Sequence, residues 1–134
     1  MQEQMKKALK IVLILLGIVA VVYIITTTWL NVRREKRLRP ALESEVAKAL
    51  EDVEAVGSHE VIGNELTKVY VDIDVWNAAT EGQQQQFVRN LQDAVTAAAM
   101  KAGYRMDTYS EVIVYDLSKN KIAEASVIGN VTIY

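Results

Sequence analysis

The sequence predicts an α+β protein: one N-terminal transmembrane helix, a second helix, and a small two-layer β-α-β-β domain. Three observations predict it. Residues Ile11 to Val32 form an uninterrupted stretch of 22 residues without a charge. Apolar residues recur every three or four positions over 41–56 and again over 80–102, the period of a helix with one buried face. Strict alternation over 66–76, and shorter apolar runs from 111 onward, carry the period of strands.

The anchor comes first. At about 1.5 Å rise per residue, roughly 22 residues of helix measure about 33 Å. That length matches a hydrocarbon core of about 30 Å, so residues 9–32 are expected to span a bilayer. A cleaved signal peptide is the rival, since Lys6, Lys7 and Lys10 precede the apolar run. Secretory apolar regions run about 7–15 residues and end at a small-residue cleavage site. This one is longer and ends in Thr26-Thr27-Thr28-Trp29-Leu30, which favours an uncleaved anchor. Gly17 has Val21 four positions on, so no G-x-x-x-G pairing motif is present.

Charge divides the chain into a membrane anchor with a basic stem, 1–39, and a soluble domain, 40–134. The first part carries a net +6 and the second a net −8. An acidic domain lacks the cations that neutralise phosphates, so nucleic acid is not an expected partner. Five cations follow the span (Arg33, Arg34, Lys36, Arg37, Arg39) and three precede it. The richer flank tends to lie inside, so the domain is expected in the cytoplasm of a single-pass cell-membrane protein, with export as the rival. Trp29, Arg33, Arg34, Lys36 and Arg37 are the expected membrane-interface residues, a tryptophan belt beside a basic collar.

In the soluble part, Pro40 suits a first helical turn or a kink. Leu42, Val46, Ala49, Leu50, Val53 and Val56 then form the stripe of a helix over 41–56, with Gly57 as its cap. The segment from Ser58 to Glu65 reads as a loop, or as a short strand at His59–Ile62 that turns into the next one. From Leu66 to Trp76, Val69, Val71, Ile73 and Val75 alternate with Lys68, Tyr70, Asp72, Asp74 and Trp76. This predicts one half-buried strand with a polar outer face. Thr80 with Gln83 three residues on is a capping-box signature. It predicts a helix to about Ala102, capped by Gly103, with Phe87, Leu91, Ala94, Val95, Ala98 and Ala102 facing in. Glu111–Asp116 is the next strand, Leu117–Lys121 a turn, and Ile122–Ile128 another strand. Gly129-Asn130 is a turn or bulge before Val131–Tyr134. The tetrapeptide Val61-Ile62-Gly63-Asn64 recurs at Val127-Ile128-Gly129-Asn130, consistent with chance or with two similar turns.

Candidate chemistry is sparse. Zero Cys excludes disulfides, thiolate metal sites and a Cys nucleophile. No Walker, G-x-G-x-x-G, G-x-S-x-G, H-E-x-x-H or Cys/His pattern occurs, so no cofactor, metal or enzymatic activity is expected. His59 is the only histidine, and its setting suits a surface or turn role better than that of a base. Asp72 and Asp74, about 7 Å apart along a strand, have the spacing of a cation site or an acid/base pair. Their polar face makes solvated acids the better reading. Tyr70 and Trp76 on the same face resemble the aromatic content of binding surfaces. Tyr70, Asp72, Asp74 and Trp76 are therefore the expected partner-binding residues. The expected function is that of a single-span accessory or assembly subunit of a larger membrane protein complex, acting by protein–protein interaction. Self-association into a homo-oligomer is compatible with it. The alternative is a membrane-tethered binding domain for a small ligand or a cell-envelope polymer.

Overall fold

The computed structural model describes residues 2–134. Eight elements follow in order: α1 (Gln2–Leu50), β1 (Val56–Gly63), β2 (Leu66–Val71), α2 (Ile73–Ala78), α3 (Glu81–Ala102), β3 (Glu111–Asp116), β4 (Lys121–Ala125) and β5 (Val131–Ile133). The chain divides into two compact units, Met1–Arg37 and Leu38–Tyr134.

In the first unit, α1 is long and apolar enough to cross a membrane, with none of its most apolar window buried in the protein. Two of its hydroxyls are satisfied internally: Thr27 donates to the Tyr23 carbonyl and Thr28 to that of Ile24, each at 2.8 Å. A threonine bonded one turn back carries no dangling donor into apolar surroundings.

In the second unit, α1 contributes Leu42, Val46 and Leu50 to the core, one residue per turn. Pro40 lies inside α1 and neither opens nor ends it. The helix stops at Leu50, short of the expected Val56. A turn closed by Val53 N–H on the Leu50 carbonyl leads the chain into β1. Val56 is thereby free to pair with Val71, and Gly57 is a strand residue instead of a helix cap. Of the two readings of 58–65, the strand is the correct one, and it is longer than His59–Ile62.

The sheet has five strands in the order β1-β2-β3-β4-β5. Only β2 and β3 run parallel, in the register Tyr70↔Tyr115, while the other three pairs are antiparallel. The parallel pair needs a crossover, and α2 with α3 supplies it. Thr67, Val69, Val71, Val112, Val114, Ala123 and Ala125 are all buried, whereas their alternates on these strands keep some exposure. One sheet face thus meets the core formed with α3 and Leu42, Val46 and Leu50, and the other is uncovered. This is the expected two-layer α+β architecture, enlarged by one edge strand at each side.

Helix α3 begins and ends as expected. Gln83 N–H donates to Thr80 Oγ1 at 3.2 Å and Thr80 N–H to Gln83 Oε1 at 2.9 Å, which completes the capping box. Gly103 takes φ 110° in the left-handed region and bonds back to Met100. The buried stripe, however, is rotated from the expected one: Val88, Leu91, Gln92, Val95, Thr96, Ala98 and Ala99 are buried, and Phe87, Ala94 and Ala102 lie at its margin. Two polar residues are inside because the loops beneath α3 need partners. Gln92 Nε2 donates to the Ser110 carbonyl at 3.0 Å and the Ser126 carbonyl at 2.7 Å. Thr96 Oγ1 accepts Ser110 N–H at 3.0 Å. Hydropathy patterning ranks these residues outside, but a satisfied buried polar group costs little.

The repeated tetrapeptides mark corresponding places: the first closes the β1–β2 hairpin and the second the β4–β5 hairpin. The last two strands are shorter than expected, β4 ending at Ala125 and β5 at Ile133.

Candidate binding face

The four residues expected to contact a partner do not share one surface. The expected strand 66–76 breaks at Val71. There Asp72 accepts the Asp74 N–H on Oδ1 at 2.9 Å and becomes the N-cap of α2. Once the chain turns helical, the period changes from 2.0 to 3.6 and the inside and outside exchange. Ile73 and Val75, expected inside, are 36% and 52% exposed, and Trp76, expected outside, is 7% exposed. Trp76 packs edge-to-face on Phe87 with ring centroids 6.1 Å apart. It is a core residue, which corrects its assignment to a binding face. Asp72 is an exposed cap, and Asp74 is a solvated acid in the first turn of α2. Tyr70 alone of the four lies on the uncovered sheet face.

His59 follows the strand reading of its segment. It lies on β1 opposite Val69, half-buried toward the core side, and not in a loop. Among the described residues no group of three or more His, Cys, Asp or Glu side chains is arranged to hold a metal ion.

What the tertiary structure assembles around Tyr70 is a patch that crosses all five strands. Two rows run through it by register. The first is Ser58–Tyr70–Tyr115–Lys121, and the second is Glu60–Lys68–Ile113–Glu124–Thr132. Tyr70 and Tyr115 stack with centroids 5.4 Å apart and planes inclined by 24°. The Lys68 ammonium sits 5.9 Å from the Tyr115 ring. At the β4–β5 side, Lys121 Nζ meets Glu124 Oε2 at 2.7 Å and lies 4.9 Å from the Tyr134 ring. The Tyr134 hydroxyl donates to Glu124 Oε1. The hydrogen bond to Glu124 raises the Lys121 ammonium above its ordinary pKa. The Lys121 and Tyr134 hydrogen bonds together lower the Glu124 carboxyl against a smaller opposing effect of burial. Both groups therefore stay charged, and the terminal tyrosine is fastened to the sheet. None of these pairings is visible in the sequence, because Tyr70 and Tyr115 are 45 positions apart and only the parallel register brings them together.

The patch is aromatic and of mixed charge. Five strands about 4.8 Å apart and six residues at about 3.3 Å give a footprint of about 20 by 20 Å. That is roughly half the 800 Å² each partner offers in a standard stable interface. A separate recess of about 290 Å³ lies between Val71, Val75, Trp76, Gln84 and Phe87. It falls at the lower limit of small-molecule pockets, about 300–1,000 Å³.

The five residues expected at a membrane interface all lie on α1. Trp29, Arg33, Arg34, Lys36 and Arg37 are all exposed, and the Arg33 guanidinium lies 4.1 Å from the Trp29 ring centroid.

No protein-family model, curated protein or solved structure matches this chain.

Proposed function

We propose that this chain is a single-span membrane protein whose α+β domain is an interaction module: an accessory or assembly subunit that docks on a membrane protein complex through the uncovered sheet face. The observation that carries this reading is the Tyr70–Tyr115 stack, set on the sheet face that no element among the described residues covers. Tyrosine brings large contact area at low entropic cost and is enriched among residues that dominate binding energy. The footprint sustains only a modest contact by itself. A shared bilayer offsets that, because tethering two partners in one membrane raises their effective concentration without any new contact. The lipid bilayer is thus the second partner, with the apolar stretch of α1 as the span. The heavier basic flank supports a cytoplasmic domain.

The test uses the full chain in its own membranes. A photo-crosslinking residue at Ile113, midway across the patch, should capture an integral membrane protein, and Tyr70→Ser with Tyr115→Ser should abolish the capture. Crosslinking that is absent at Ile113, or indifferent to the tyrosines, refutes the docking face. Orientation has its own check. The chain has no Cys, so Lys119→Cys creates a unique thiol, and labelling of intact cells by an impermeant maleimide would place the domain outside.

A further inference from the structure

The cations at the two ends of the apolar stretch differ in kind. Lys6, Lys7 and Lys10 precede it, whereas three of the four that follow within the first unit are arginines: Arg33, Arg34 and Arg37, with Lys36. An ammonium is a compact, strongly hydrated point charge. A guanidinium is a planar fork whose paired N–H donors match two oxygens of one phosphate.

The helix collects the arginines. Leu30, Arg33, Arg34 and Arg37 line one recess along α1. Their spacings of three, one and three place them on one face over two turns. Arg33 and Arg37 are one rung apart, about 6 Å along the axis, so both reach a single headgroup. Arg33 is braced by its position 4.1 Å over the Trp29 ring, which occupies its face and leaves its in-plane donors for another acceptor. Leu30 supplies an apolar edge to the same recess, on the side of the uncharged stretch. Phosphate-binding donors directly above apolar surface fit an amphiphile, with an acyl chain beside Leu30 and a phosphate among the guanidinium groups.

We propose that Arg33, Arg34 and Arg37 form a headgroup site for anionic phospholipid, selective through guanidinium geometry and not through charge alone. The proposal rests on the membrane-anchor reading above. It assigns the lysine end no such selectivity.

The test is retention of lipid by the full chain, reconstituted in vesicles of phosphatidylcholine with a minority of phosphatidylglycerol and released into native mass spectrometry. The wild-type chain should retain phosphatidylglycerol well above its bulk share. Arg33→Gln, Arg34→Gln and Arg37→Gln together should lower that preference by on the order of a hundredfold, at about fivefold per basic residue at an anionic surface. The triple Arg→Lys variant keeps the charge and should still fall by at least about twofold, the loss of one net hydrogen bond when paired donors are removed. The triple Lys→Gln variant at 6, 7 and 10 should retain the wild-type preference. A triple Arg→Lys variant equal to the wild type overturns the site in favour of diffuse attraction, and so does a wild-type chain with no preference. Extraction of the chain from pure phosphatidylcholine vesicles by alkaline carbonate would overturn the anchor reading and the site with it. Firm insertion without lipid preference would overturn the site alone.

Discussion

Replacing Trp76 by Ala separates the two places this residue can occupy. On a polar strand face the truncation would be nearly neutral, within about 0.5 kcal/mol, as for most surface substitutions. In the structure Trp76 is 7% exposed and packs on Phe87. Truncating a buried large aromatic costs about 3–5 kcal/mol, and about 0.5–1.5 kcal/mol of that belongs to the edge-to-face pair. The recess beside Trp76 opens to solvent, so the hole left behind fills in part, and the lower figure of about 3 kcal/mol applies. In a domain of this size each kcal/mol moves Tm by about 4 °C or more, so the expected fall is about 12 °C. Differential scanning calorimetry of the full chain in mild detergent reads it. Trp76→Phe keeps the ring contact and should lose no more than about 1.5 kcal/mol. A fall below about 4 °C for Trp76→Ala would refute the buried placement and the helical reading of Ile73–Ala78 with it.

Three further outcomes are expected in the same assay or by titration. Thr80→Ala removes one half of the capping box and should cost about 1 kcal/mol, whereas Thr80→Ser should be close to neutral. Gly103→Ala forces a side chain into φ 110° and against Leu38 Cδ2 at 3.2 Å, so it should destabilise by more than about 1 kcal/mol. A Tm equal to that of the wild type would mean that the αL cap is not formed. Asp116 accepts N–H donors from Ser118 and Asn120, and the Asn120 hydrogen bonds hold its carboxyl below the ordinary value of 3.8. A carboxyl lowered on folding stabilises the native state fully above its unfolded pKa and loses that contribution as pH falls through its folded pKa. The Tm gap between the wild type and Asp116→Ala should therefore be constant near neutrality and close in acid, and an NMR titration of the Asp116 carboxyl should show a midpoint below 3.8. A gap that widens in acid would contradict the sign.

Some elements were legible because their signals are local. The capping box at Thr80, the αL glycine at 103 and the turn at Leu117–Lys121 each involve groups within five residues, so spacing alone exposes them. The uncharged stretch 11–32 is equally local. The strand expected over 66–76 failed for the same reason in reverse. Alternation ran on through Trp76, but Asp72 capped a helix and the tertiary fold changed the period beneath it. The stripe of α3 was legible in period and misplaced in phase, because Gln92 and Thr96 are buried by carbonyl and amide groups 14 to 34 residues away.

By itself, the sequence determined the apolar stretch and its basic flanks, the acidic domain, the α+β class and the limits of α3 and β3. These follow from composition and from interactions a few residues long. Only the tertiary structure decided which residues of that domain are a surface. The parallel register of β2 with β3 stacks Tyr70 on Tyr115, the turn to α2 buries Trp76, and the one-sided helix layer leaves a sheet face open. Each of these depends on contacts between distant segments, and hydropathy along the chain carries no record of who the neighbour will be.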